Sequence, residues 1–93
     1  MYNEIVALRN LDFHSLIIQS NKLHDFKIKI SHDIMKIYNI NNRYQSFKIM
    51  SISPVDTFEI IININDIKEI KKENEYYIIK MIDTTVLLYT YQN

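Results

Sequence analysis

The chain of 93 residues contains no glycine. Glycine adopts positive φ angles most easily and lets the backbone approach a phosphate group closely. The standard forms of the P-loop and of the dinucleotide-binding turn both require it, so these phosphate-binding loops are excluded. We expect turns to be formed by asparagine and aspartate instead, because these residues tolerate the left-handed region.

Cysteine is also absent, which excludes disulfides, Cys-ligated zinc and thiol catalysis. Small secreted domains usually need such cross-links, so we expect a cytoplasmic protein. The length predicts a single domain over residues 1–93. No run approaches the roughly 18 apolar residues of a membrane span, and the start has no signal-peptide pattern, so we expect no membrane partner.

The composition favours strands, with 19 isoleucines, seven tyrosines and four phenylalanines. Over residues 58–64 the apolar side chains alternate with a period of two, which is typical of a β-strand. Further strands are predicted over 16–19, 26–30, 44–52, 76–82 and 86–91. The fold class is therefore predicted as mainly β, a small antiparallel sheet or partly open barrel of about six strands.

Residues 32–42 fit two interpretations equally well. Ser31 could cap a short helix that places Ile34, Ile37 and Tyr38 on one face. The alternative is a strand over 35–40. A helix here would make the fold α+β rather than mainly β.

The segment 86–91 is predicted to be an exposed edge strand. Edge strands carry unpaired backbone groups that readily pair with another chain. We therefore expect a homodimer or a protein target to use this edge. In the competing hypothesis, residues 4–8 pair with it and close a barrel.

The core is predicted from the apolar strand positions. Its members are one face of residues 76–82 together with Phe26, Ile28, Ile30, Phe47, Ile49, Phe58, Ile60, Ile62, Ile64, Ile78 and Leu88.

Catalytic and metal-binding patterns are weak. His14, His24 and His32 show no convergence with other ligands, although His24 and His32 each precede an aspartate. No serine has the flanking glycines of a nucleophile elbow. We expect a protein that is not an enzyme and needs neither a metal nor a cofactor.

The charges are divided along a chain that is neutral overall. Residues 1–50 have seven basic and four acidic residues, and residues 51–93 have four and seven. A nucleic-acid interaction would use the basic half, but zero net charge makes it the weaker hypothesis. Its candidate residues are Lys27, Lys29, Lys36, Arg43 and Lys48, with Tyr38, Tyr44 and Phe47 as stacking groups.

Tyrosines cluster near the C-terminus, and tyrosine is common at binding hot spots. The predicted contact residues are Tyr76, Tyr77, Tyr89, Tyr91, Glu73 and Glu75. The leading hypothesis is a protein-binding module, such as a phage or mobile-element inhibitor of a host enzyme or defence system, similar in role to anti-CRISPR proteins. The alternatives are a nucleic-acid-associated regulator and a self-assembling structural subunit.

Overall fold

A computed structural model describes residues 2–23, 26–41, 43, 45–52 and 57–91. In this part of the chain a short helix precedes seven strands. The elements are α1 (Tyr2–Leu8), β1 (Phe13–Ser20), β2 (Lys27–Asn41), β3 (Ser46–Ser51), β4 (Glu59–Asn63), the 3₁₀ turn η1 (Ile64–Asp66), β5 (Ile67–Lys72), β6 (Tyr76–Met81) and β7 (Thr84–Thr90).

The strands form one antiparallel sheet in the order β4-β3-β2-β1-β7-β6-β5. Two meanders, β1 to β4 and β5 to β7, meet where β1 pairs with β7. The outer strands β4 and β5 are joined by η1, which has only three residues. Because this short turn links opposite ends of the sheet, the sheet has to curl and enclose one of its faces. The mainly β prediction is confirmed, as an open sheet rather than a closed barrel.

Residues 32–41 belong to a strand and residue 42 lies outside the described part of the chain, so the helix alternative and the α+β class are wrong. Strand β2 runs through this segment and pairs with β1 on one side and β3 on the other. A helix would leave both neighbours without hydrogen-bond partners, which is costly for buried backbone groups. The register shifts near Phe13 and after Tyr38, and such irregularities let a strand of 15 residues bend with the sheet.

The prediction that residues 86–91 form an exposed edge is also wrong. Strand β7 lies between β1 and β6 and pairs with both, so its backbone groups are already used. The competing barrel closure is wrong as well, because residues 4–8 belong to α1. None of the described helices is long and apolar enough to cross a membrane.

The sheet has one more strand than the six predicted. The additional strand is β5, whose sequence IKEIKK contains four charged residues. Two isoleucines suffice for its inner face, since Ile67 is buried and Ile70 packs against the core. The other positions face solvent, and their charges hide the strand pattern.

The core lies on the inner face of the curled sheet. Among the predicted members, Phe47, Ile49, Ile62, Ile64 and Leu88 are buried, and Ile30, Phe58 and Ile60 pack against them. The inward face of β6 is Tyr77, Ile79 and Met81. The residues that the sequence did not indicate are Ile5 and Leu8 of α1 with Phe13, Leu16, Met35, Ile37, Ile67 and Val86.

Three predicted core residues do not belong to it. Phe26 and Ile28 are 48% and 44% exposed. Strand β3 pairs with β2 from Met35 onward, so no strand of the described chain lies beside the first part of β2 on that side. Ile78 is half-buried on the outer face, opposite its neighbour Ile79.

Turns only partly use the predicted residues. Asn63 caps η1, since its Oδ1 accepts the N–H of Asn65 at 3.0 Å. The one left-handed residue in the described part of the chain is Gln45, with φ of 55°. Asparagine and aspartate are therefore not required at this turn between β2 and β3, although they are better suited to it.

Candidate functional site

The outer face of the central strands carries an apolar row. The register places Leu87 of β7 between Ile17 of β1 and Ile78 of β6. Ile17 is only 9% exposed although it lies outside the core cluster. Its burial comes from neighbours on the outer face, so this face has an organised apolar surface of its own.

A cluster of aromatic rings adjoins this row. Tyr76 and Tyr89 are cross-strand partners with ring centroids 5.0 Å apart. The His14 ring lies 6.1 Å from Tyr89 and packs edge-on against Tyr91 at 5.2 Å. We call these four residues the aromatic patch. Pairs in this distance range attract each other by about 0.5–1.5 kcal/mol beyond their area burial.

A β-bulge positions His14 in the patch. Phe13 pairs with Thr90 and Ser15 with Tyr89, so His14 is an extra residue on β1. A bulge redirects the side chain at the irregularity. Here it allows Phe13 to remain in the core while His14 reaches the outer face beside Tyr89.

Hydrogen bonds hold the rings in place. The His14 Nδ1 lies 2.9 Å from Ser15 Oγ, which lies 3.0 Å from Ser31 Oγ on β2. The Tyr91 hydroxyl donates to the backbone carbonyl of Asp33. Polar contacts to β1 and β2 therefore hold the patch in place. A rigid aromatic surface loses little conformational entropy on binding.

A concavity of about 370 Å³ opens beside the rings. It is lined by His14, Tyr89, Thr90, Tyr91 and Glu75. Thr90 fixes one wall, because its backbone N–H donates to the Glu75 carbonyl at 2.9 Å. The site thus combines aromatic surface with one carboxylate at its margin.

Four of the six predicted contact residues lie at this site, namely Tyr76, Tyr89, Tyr91 and Glu75. Tyr77 does not, because the period of two along β6 turns it towards the core. The Lys72 amine lies 6.0 Å from the centre of its ring. Glu73 lines an adjoining concavity, which shares Thr90 and Tyr91 with the one beside the rings. The sequence did not indicate His14 as a contact residue, and it did not indicate the apolar row. The bulge that displays His14 depends on the pairing with β7 and leaves no local pattern.

The basic residues of the nucleic-acid hypothesis are dispersed. Lys36 and Lys48 form ion pairs with Asp12 at 2.5 Å and Glu59 at 3.3 Å. Lys27, Lys29 and Arg43 are exposed.

The aromatic residues predicted to stack on bases are less accessible than the nucleic-acid hypothesis requires. Phe47 is fully buried, so its prediction as a stacking group is wrong. Tyr38 is half-buried, and Tyr44 lies outside the described residues.

The histidines are not brought together. His32 stacks on Phe58 at 5.6 Å, whereas His14 is in the aromatic patch. His24 lies outside the described residues. Within the described ranges, no three His, Asp or Glu side chains are grouped as metal ligands would be.

No family model matches the chain, and no curated protein or solved structure is significantly similar to it. What the surface binds must therefore be inferred from its chemistry.

Proposed function

We propose that the protein is a non-enzymatic protein-binding module whose contact surface is the aromatic patch. The observation that carries the proposal is the contiguous set of His14, Tyr76, Tyr89 and Tyr91 on the face of the sheet opposite the core. Tyrosine contributes a large contact area at low entropic cost and keeps a polar hydroxyl for the partner.

The surroundings of the patch favour a protein over a polyanion as the partner. The apolar row of Ile17, Leu87 and Ile78 continues the patch across the same three strands. Beyond it lie charges of both signs, with Glu69, Lys71 and Lys80 lining one concavity. An aromatic and apolar centre with a mixed polar rim is the usual anatomy of a protein interface.

The biological setting that we propose is inhibition by occupancy, in the cytoplasm. A small domain without a catalytic motif fits the accessory proteins of phages and mobile elements that block a host enzyme or a defence system. Size and composition support this setting, and the aromatic patch supplies a surface through which such a protein could act.

The test compares one patch residue with a tyrosine elsewhere on the sheet. Tagged protein is used to capture partners from an extract of the source cells, and the affinity of the captured protein is then measured. We expect Tyr89→Ala to weaken binding about 30-fold or more, which corresponds to about 2 kcal/mol. The matched control is Tyr38→Ala, since Tyr38 is also half-buried but belongs to β2. Equal losses for both variants, with unchanged circular dichroism, would contradict the proposed surface.

A further inference from the structure

The two ends of the sheet differ in their exposed backbone groups. Among the described strands, β4 has a neighbour on one side only, which is β3. The backbone N–H of Ser51 donates to the Phe58 carbonyl at 3.0 Å, and that of Ile64 donates to the Gln45 carbonyl at 2.6 Å. These bonds fix the phase of the ladder, because hydrogen-bonded and non-hydrogen-bonded pairs alternate along antiparallel strands.

That phase directs the backbone groups of Glu59, Ile61 and Asn63 away from β3. Each of these residues presents an N–H and a C=O to the open side of the sheet. Their side chains are also exposed, and Ile61 is 65% exposed, the largest value among the exposed apolar residues of the described chain. An apolar edge of this kind readily adds another strand.

The edge is complementary to itself. When two β4 strands pair antiparallel about a two-fold axis at Ile61, Ile61 of each copy faces Ile61 of the other. Glu59 then faces Asn63, and the three outward residues of each copy can form six hydrogen bonds in total. The Oδ1 of Asn63 accepts within its own chain, which leaves its Nδ2 group to donate to the opposite carboxylate.

The charges near this edge permit such a pair. Glu59 is the one charged residue of β4, and Lys48 of β3 neutralises it at 3.3 Å. In the antiparallel register no carboxylate faces another carboxylate, and like charges directly opposite would be destabilising. The arrangement therefore favours a second copy of this chain in that register.

The other end of the sheet is protected. Strand β5 contains Lys68, Lys71 and Lys72 with a single acidic residue, Glu69. Lysines on an outer strand are a common means of preventing unwanted strand addition. Two β5 strands brought together would place several positive charges close to one another.

We propose that β4 is a homodimerisation edge, through which two copies pair antiparallel about Ile61 and join their sheets. This inference goes beyond the proposed function, because it uses a surface separate from the aromatic patch. A pair of five-residue strands covers less than the roughly 1,200–2,000 Å² typical of stable complexes, so the dimer dissociates on dilution.

Sedimentation equilibrium of the full chain over a wide concentration range tests the dimer. We expect Ile61→Lys to raise the dimer Kd more than about tenfold, because two like charges then face each other across the axis. Ile82→Lys is the matched control. Ile82 is 57% exposed and lies between β6 and β7, so the dimer should be unchanged. A wild-type monomer at every concentration, or equal effects of both variants, would overturn the proposal.

Disulfide trapping tests the register independently, since the chain has no cysteine. Facing residues of a hydrogen-bonded antiparallel pair have Cα atoms about 5.5 Å apart, within the range that a disulfide spans. Ile61→Cys should therefore form a covalent dimer under mild oxidation much faster than Ile82→Cys. Equal rates for the two variants would overturn the proposed axis.

Discussion

Ile78 and Ile79 are neighbours on β6, yet they lie on opposite faces of the sheet. Ile79 is fully buried in the core, whereas Ile78 is half-buried in the apolar row beside the aromatic patch. The residues are chemically identical, so their difference comes entirely from the pairing and curl of the sheet. The inner face therefore stabilises the fold, while the outer face keeps apolar side chains in contact with solvent.

The largest expected effect is on the inner face. Ile79→Ala should lower the free energy of unfolding by about 2–5 kcal/mol, because it leaves a cavity among well-packed neighbours. The same loss is expected for Ile62→Ala, since Ile62 is 3% exposed. Urea unfolding followed by circular dichroism measures both variants. A loss below about 0.5 kcal/mol would contradict the core assignment.

The control for that prediction is the adjacent residue. Ile78→Ala should cost only about 1 kcal/mol, since its side chain already contacts solvent and can lose less apolar burial. Equal losses at Ile78 and Ile79 would mean that the outer face is covered in the folded monomer. The two faces would then not differ in how much they contribute to stability.

A smaller effect is expected within the aromatic patch. The Tyr76–Tyr89 pair, with rings 5.0 Å apart, should show a coupling of about 0.5–1.5 kcal/mol, as aromatic pairs do. A double-mutant cycle with Tyr76→Ala and Tyr89→Ala measures it from unfolding free energies. Tyr76→Ala with Tyr38→Ala is the matched cycle, and its coupling should be zero. A zero value for Tyr76–Tyr89 would show that the patch is not preformed.

Nucleic-acid binding should be weak and non-specific. The protein has no net charge, and neutralising several phosphates requires spare cations. Fluorescence anisotropy with labelled single- and double-stranded DNA at physiological salt should show no submicromolar complex. If a tight complex forms and Lys27→Glu with Lys29→Glu removes it, the regulator hypothesis replaces the protein-binding one. The outer surface of β2 would then be the functional region.

The smallest expected effect is that of metal removal. His14 contacts Ser15 and the aromatic patch, while His32 stacks on Phe58. We therefore expect the Tm to be the same with and without a chelator. A decrease of more than a few degrees would indicate a metal site and would require a role for His24.

The sequence predicts strands well where one face is apolar, as in β4, β6 and β7. It does not predict their order, because pairing between distant strands leaves no local pattern. The sequence predicts an edge position for β7, but its pairing with β1 and β6 places it inside the sheet. The sequence does not predict β5 at all. An outer strand needs few apolar positions, so its charged residues interrupt the strand pattern.

The candidate site was predictable to a similar extent. The sequence predicts Tyr76, Tyr89 and Tyr91 as contact residues, and all three lie at the site. It also predicts Tyr77, which lies on the opposite face of β6 from Tyr76. His14 could not be predicted, because the bulge that exposes it exists only when β1 and β7 are paired.

The pairing of β1 with β7 also affects how the protein is made. Phe13 pairs with Thr90 and Ser20 with Thr84, so every pair in this ladder spans more than 60 residues. Loops of this length must close before the contacts form, which slows folding. During synthesis, one side of β1 therefore has no native partner until β7 leaves the ribosome. Throughout that interval β1 is an apolar edge, and the nascent chain needs protection from aggregation that the finished protein does not.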